Sequence, residues 1–334
     1  MSSSALHKRK AVKIGTHSGT FHCDEALACW MLKQTDRFRD AEIVRTRDPA
    51  VLKDLDVVVD VGGEYDAGLG RFDHHQREFA DNFGHGYTTK LSSAGLVYRH
   101  FGKEVIGKIL GPAVSSDDID TLYLRIYKTF IEAVDANDNG INQWEGDAPP
   151  KYVNNTTLGA RVNFLNPNWN EDSSPEVLYK LFMKAVELTG SEFADHVKYS
   201  GQSWLPGRQY VQESFDERLN IDSSGEIMQL KRYCPWKEHL YDLEEASGVS
   251  GQVKYCLYED DREHVWRIQA VSVSPGSYIS RRRLPNAWRG LRSDELDKVV
   301  GIPGCVFVHA GGFIGGHKTC EGVLAMAQKA LTME

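Results

Sequence analysis

No CxxC pair occurs among the six cysteines, at positions 23, 29, 234, 256, 305 and 320, and no evenly spaced framework links them. That absence argues against a disulfide-stapled secreted protein and for a reducing, intracellular compartment. Long apolar runs are missing too. No stretch approaches the length of a membrane helix, so no membrane partner is expected. There is no low-complexity tract and no internal repeat, and the composition is that of an ordinary globular protein, 41% hydrophobic and 26% charged. Nor is there a basic excess. The 39 Lys and Arg against 47 Asp and Glu give a net charge of −8. This argues against broad, unspecific binding along duplex nucleic acid but leaves room for a local basic patch. Met1 to Lys10 is Ser-rich, basic and free of acids, yet short for a transit peptide. Nucleus, cytoplasm and mitochondrion all stay open as compartments.

A chain of 334 residues suggests two domains, each able to bury a substantial core. Ala11 to Thr16, Ala41 to Arg47 and Asp56 to Val61 read as strands, the last a β-branched run that fits a strand covered on both faces. Ala26 to Lys33 reads as a helix with Asp24 and Glu25 near its positive end. Strand, helix, strand and strand in this order predict an α/β domain on a parallel sheet. Helices are expected next at Leu91 to Phe101, with Ser92 or Ser93 as cap, and at Asp117 to Val134, where Leu122, Ile126, Phe130 and Val134 recur at fourfold spacing. Asn139 to Ser174, rich in Asn, Pro, Gly and Trp, reads as a long excursion packed over the site. Pro175 to Leu188 and Ser191 to Leu219 read as helices, and a turn at Asp222-Ser223-Ser224-Gly225 places the domain boundary. The first domain then covers residues 1–219 and the second residues 220–334. Strands at Glu226 to Leu230, Val253 to Tyr258, Val265 to Val273 and Cys305 to His309 predict a smaller mixed α/β domain.

Chemistry gathers in the first domain. Phe72-Asp73-His74-His75-Gln76 supplies one hard oxygen and two imidazoles in three residues, a set that suits Mn, Fe, Co or Zn better than Mg alone. In open α/β sheets, ligands collect outside the carboxyl ends of the strands. His17, His22 and Asp24 come just after the first strand, Asp60 closes the third, and Gly62-Gly63 turns the chain toward Asp73-His74-His75. Each has a plain reading as turn chemistry. Their convergence at strand ends is what points to a metal. Asp135 extends the buried face of its helix by one turn and is read as a further ligand, whereas Asp138 and Asn139 are read as a polar turn.

The second domain carries Arg281-Arg282-Arg283 with Arg289 and Arg292. Arginine forks bind phosphate oxygens bidentately, and Trp288 and Tyr278 offer rings on which a base could stack. Arg281 and Arg282 read as a solvated face. Gly311-Gly312-Phe313-Ile314-Gly315-Gly316-His317-Lys318-Thr319 nearly spells a P-loop, but His317 breaks the required ending and no NTPase core comes after it. An ATPase is therefore set aside. A glycine loop opening a helix still presents backbone N–H groups to an anion.

The order His17, then His22 and Asp24, then Asp60, then Asp73-His74-His75, then Asp135 resembles the DHH phosphoesterase superfamily, with His22 where that group usually has Asp. A closer likeness is to the melanocyte proliferating gene family. It is carried by Thr16 to Glu25, Cys234-Pro235-Trp236-Lys237, Arg283-Leu284-Pro285-Asn286-Ala287-Trp288-Arg289-Gly290-Leu291 and His309 to Lys318. The resemblance implies a two-domain, two-metal phosphodiesterase with its site in the interdomain cleft, a 3′–5′ RNA exonuclease acting on single-stranded RNA or short oligonucleotides. It implies His17, His22 and Asp60 on one divalent ion and Asp24, Asp60, His74 and Asp135 on the other, with manganese the best fit and Asp60 bridging. Asp73 would orient the imidazoles and His75 would meet the phosphate. His317 and Arg283 would neutralise charge in the transition state, and Arg283, Trp288, Arg289, Gly315, Gly316, His317 and Lys318 would grip the substrate. Two other classes fit parts of the pattern: a pyrophosphatase or nucleotide phosphohydrolase, and a non-catalytic nucleic-acid-binding protein.

Overall fold

Three valines, Val57-Val58-Val59, are buried without exception and form the middle of the first sheet, as expected of a strand covered on both faces. The computed structural model describes residues 11–146 and 148–333; Met1 to Lys10 lie outside the described residues. In chain order the first half runs β1 (Lys13–Thr16), α1 (Cys23–Lys33), β2 (Glu42–Arg45), α2 (Pro49–Lys53), β3 (Val57–Val59), β4 (Tyr65–Asp66) and β5 (Arg71–Phe72). A hairpin, β6 (Asn82–Gly84) and β7 (Tyr87–Lys90), precedes α3 (Ser93–Leu110) and α4 (Ser116–Ile126). A π-helical turn, Tyr127–Ile131, leads into α5 (Glu132–Asp138), and α6 (Leu158–Asn163) and α7 (Pro175–Tyr199) complete the half.

The sheet order is β2-β1-β3-β5-β4, with β2, β1, β3 and β5 mutually parallel and β4 antiparallel at the edge. Helix α1 packs on α3 and α7. Gly15 lies against the Leu55 and Val58 side chains and leaves no room for a Cβ, so these side chains can close down on β1. The arrangement is the expected α/β one. Its consequence is positional: His17, Asp60 and Asp73 each come directly after the carboxyl end of a strand, and β1, β3 and β5 lie side by side in that order.

The chain divides into two compact units between Gly201 and Gln202, upstream of the break at 219/220 read from the turn. Helices α8 (Leu205–Asp216) and α9 (Arg218–Ile221) belong to the second unit, because α8 packs on β8 (Ile227–Gln229) and on α10 (Lys237–Ala246). The second unit continues with β9 (Tyr255–Asp260), β10 (Val265–Ala270), α11 (Ser293–Val300), β11 (Cys305–Val308), β12 (Ile314–His317) and α12 (Cys320–Thr332). Its sheet is mixed, in the order β11-β12-β10-β9-β8, parallel only between β8 and β9. One core of this unit collects Tyr255, Ile268, Leu284, Trp288, Leu296 and Met326.

Candidate metal centre

Asp24 sits on the first turn of α1 and is wholly buried, yet neither carboxylate oxygen finds a hydrogen-bond donor among the described residues. Burying a charge without a partner is costly. Burial, followed by the negative charges of Asp60 and Asp138, drives its pKa well above the usual carboxylate range. Around it the strand ends deliver the side chains that the sequence suggested. His17 Nε2 lies 3.0 Å from Glu25 Oε1 and 3.3 Å from Asp60 Oδ2. His74 Nε2 lies 3.2 Å from Asp60 Oδ1 and 3.1 Å from Asp138 Oδ2. Donor atoms converge in three overlapping groups that could hold metal ions: His17, His22, Glu25 and Asp60; Asp60, His74 and His75; and His22, Asp24 and Asp138.

Several elements hold this geometry. Asp60 adopts the left-handed backbone region, φ 59°, a strained choice for a non-glycine residue that clusters at functional sites. Ser93 Oγ lies within hydrogen-bond reach of both the Phe72 carbonyl (2.9 Å) and Asp60 Oδ1 (3.2 Å) and can donate its one hydrogen to either, tying the N-terminus of α3 to two strand ends. Glu25 accepts from the His22 backbone N–H (2.8 and 3.0 Å) and so fixes the turn into α1. Asp73 accepts from the backbone N–H groups of Gly63, His74 and His75 and from His75 Nδ1 at 2.7 Å. It thereby fixes the His75 ring and the backbone that presents both imidazoles.

The charges are arranged as acids waiting for cations. Burial opposes charging His17, but hydrogen bonds to Asp60 and Glu25 outweigh it and raise the pKa to about 9. His74 is likewise raised to about 9, burial being overcome by Asp138 and Asp60. Asp60 is pulled below its ordinary value against its own burial, by His17 and His74. Without metal, two imidazolium protons hold the carboxylates together. Divalent cations held by these groups would replace those protons and would give the orphaned Asp24 oxygens partners.

The convergent donor set differs from the expected ligands at four positions, one of them His75, which joins Asp60 and His74. Asp135 is not part of the cluster. Its carboxylate accepts from Ser92 N (2.9 Å), Ser92 Oγ (2.7 Å), Gly95 N (3.1 Å) and Tyr127 OH (3.1 Å), so it locks the start of α3. Asp138, expected as turn chemistry, faces His74 and Asp24 instead. After the π-helical turn Ile131 is buried in place of Phe130, but Val134 and Asp135 keep the expected buried face, and Asp138 lies at the end of α5 beyond them. Glu25, expected only as a residue favoured by the helix dipole, joins the group around His17. Its place beside Asp24 on the first turn of α1 is the one sequence signal that could have found it.

In the second unit the expected phosphate grip takes another form. Gly315, Gly316 and His317 are strand β12, hydrogen-bonded between β10 and β11, and do not form an open anion loop. His317 is buried, with Nδ1 accepting from Thr319 N (3.0 Å) and Nε2 at 3.0 Å from the Pro303 carbonyl. Trp288 is fully buried in the core and presents no stacking face. Arg281, expected on a solvated face, is buried against Glu244 at 2.7 Å, and Arg282 donates to the Ala330 and Met333 carbonyls at the end of α12. Arg289 donates through Nε to the Leu284 carbonyl (2.9 Å). Lys318 is exposed and Arg283 is exposed as well.

Comparison with known proteins assigns the family. The MYG1 exonuclease profile, described as uncharacterised protein family UPF0160, matches residues 13–331. The chain belongs to this family. It is 50% identical over 326 residues to human "MYG1 exonuclease", covering 96% of this chain and 85% of that one. The bovine protein of the same name is 48% identical over 331 residues, 97% of this chain and 86% of that one. A Dictyostelium discoideum relative, "MYG1 protein", is 44% identical over 319 residues, 95% and 96% of the two chains. In this member of the family the candidate centre opens on a cavity of about 890 Å³, lined also by Phe21, Arg47, Lys90 and several asparagines.

Proposed function

We propose that the protein is a metal-dependent exonuclease that removes nucleotides from the 3′ end of single-stranded RNA by hydrolysis. The observation that carries this is the Asp24 carboxylate, buried and without donors among the described residues, beside a cavity lined by His17, His22, Asp60, His74 and Asp138. The names of the relatives supply the reaction class. Those six residues would hold two divalent ions, manganese being well matched to mixed imidazole and carboxylate donors, with Asp60 shared because it belongs to two of the groups. Bound ions would acidify a water and neutralise phosphate charge.

The protein's own groups divide the remaining work. His75 is the exposed imidazole of the pair, its Nδ1 held by Asp73, and that hydrogen bond raises its pKa despite partial burial. It is placed to donate to a phosphate oxygen at the cavity rim. Arg47 lines the cavity with its Nη2 3.0 Å from His17 Nδ1, and Lys90 lines it from β7. Both add positive charge where a phosphate enters.

A labelled panel of single-stranded RNA, DNA, dinucleotides and pyrophosphate, each with manganese, magnesium or chelator, tests the proposal. RNA shortened one nucleotide at a time, only with metal, is the expected result. Rapid pyrophosphate hydrolysis beside intact RNA would instead assign a small-molecule phosphohydrolase.

A further inference from the structure

The cavity is walled on one side by the segment between α5 and α7, where Asn154, Asn155, Thr157 and Asn163 face it. Large rings on this segment are left in solvent. Tyr152, two residues before Asn154, is 74% exposed; Phe164, next after Asn163, is 69% exposed; Trp169 is 97% exposed. The segment holding them is anchored. Asn166 accepts from the Phe21 backbone N–H (3.0 Å) and donates to the Phe21 carbonyl (2.9 Å), and Phe21 lines the cavity. Thr157 caps α6, and Arg161 pairs with Glu192 on α7. These anchors hold residues 157–166, and with them Phe164, against the elements that carry the candidate centre.

Their neighbours indicate the ligand they fit. A protein partner favours a contiguous apolar core with a polar rim. Here single rings alternate with side-chain amides and prolines, as in Pro150-Lys151-Tyr152-Val153-Asn154-Asn155 and Asn163-Phe164-Leu165-Asn166-Pro167. Separate π faces spaced by neutral hydrogen-bonding groups suit successive unpaired bases. The stacking surface expected at Trp288 is buried, whereas these rings are exposed, and Tyr152 and Phe164 stand one or two residues from the cavity-lining Asn154 and Asn163.

We propose that Tyr152, Phe164 and Trp169 form a stacking track that delivers an unpaired nucleic-acid strand into the cavity past Asn154 and Asn163. This rests on the nuclease reading of the centre. Because the basic groups beside the rings and in the cavity are few, Lys151 next to Tyr152 and the cavity-lining Lys90 and Arg47, binding should weaken only moderately with salt. Each phosphate neutralised adds about −0.7 to the slope for a single strand.

The test combines Tyr152→Ala, Phe164→Ala and Trp169→Ala. Affinity for a labelled oligouridylate of about fifteen nucleotides, long enough to reach several platforms, is measured by anisotropy in chelator. Turnover of that strand and of a dinucleotide is measured with manganese. The track predicts roughly tenfold or greater loss of affinity, slower turnover of the long strand, and unchanged dinucleotide turnover and melting temperature. Unchanged affinity overturns it. So does unchanged affinity with a shift in oligomeric state by sedimentation, which would make the rings a self-association face. If the wild type binds the strand and the variant does not, while neither cleaves it, the track stands and the nuclease reading alone falls.

Discussion

A buried carboxylate such as Asp24, with no donor in reach among the described residues, persists only where something neutralises it. Asp24→Asn should therefore lower bound metal measured on the purified protein, while raising the melting temperature of the chelated form. The histidines make a second prediction. The folded values of His17 and His74 are raised to about 9 from 6.5. Their stabilisation of the metal-free protein is thus fully present below about pH 6.5 and lost as pH rises through 9. Asp24, also raised, destabilises in the same direction as it ionises. Chelated protein should melt several degrees lower at pH 9 than at pH 6.5, and bound manganese should erase most of the difference. Asp135 and Asp138 separate structure from metal binding. Asp135→Ala orphans buried donors at Ser92, Gly95 and Tyr127 and should cost about 3 kcal/mol or more in denaturant unfolding. Asp138→Ala should lower metal content, and in chelator it should remove part of the His74 stabilisation while relieving Asp24, a smaller net change than for Asp135→Ala. Metal loss with Asp135→Ala at full occupancy of Asp138→Ala would reverse these roles.

At the scale of elements, most of the first sheet was legible because its signals are local: a β-branched run for β3, and acidic or imidazole side chains directly after β1, β3 and β5. The roles of the two carboxylates on α5 were not. Fourfold spacing carries the buried face to Val134 and Asp135, but spacing does not tell which carboxylate meets hydrogen-bond donors and which meets other ligating side chains: Asp135 is taken by Ser92, Gly95 and Tyr127, and Asp138 joins the cluster. Strand β12 was hidden for a different reason. Its glycines look like a loop, but they are needed because neighbouring strands and the Leu284 and Phe307 side chains leave little room for Cβ atoms at Gly315 and Gly316. His317 in the same strand packs so closely on Gly322 that α12 rests on its ring. His317→Ala should then act as a core truncation, costing about 2–4 kcal/mol, with activity per folded molecule retained in single-turnover measurements. A large loss of rate at unchanged stability would return His317 to the catalytic machinery.

For the whole molecule, composition excluded more than it identified, and the net charge of −8 accords with the proposal that bound cations and exposed rings, more than a basic surface, would hold the substrate. Family membership was readable from motifs spread along the chain, and the matched span of residues 13–331 accords with that. Side-chain burial was not readable: Trp288 and Arg281 carry polar or aromatic groups suited to ligands, yet long-range packing places both inside the second unit. The central claim is that Asp60, shared between two of the donor groups, organises metal-dependent cleavage. Its most direct measurement is single-turnover cleavage of 5′-labelled single-stranded RNA by wild type and Asp60→Asn, with stoichiometric manganese and after chelation. The account predicts a one-nucleotide ladder for the wild type with manganese only, and no cleavage by a folded Asp60→Asn under either condition. Cleavage that survives chelation, or an Asp60→Asn variant as fast as wild type, would contradict it.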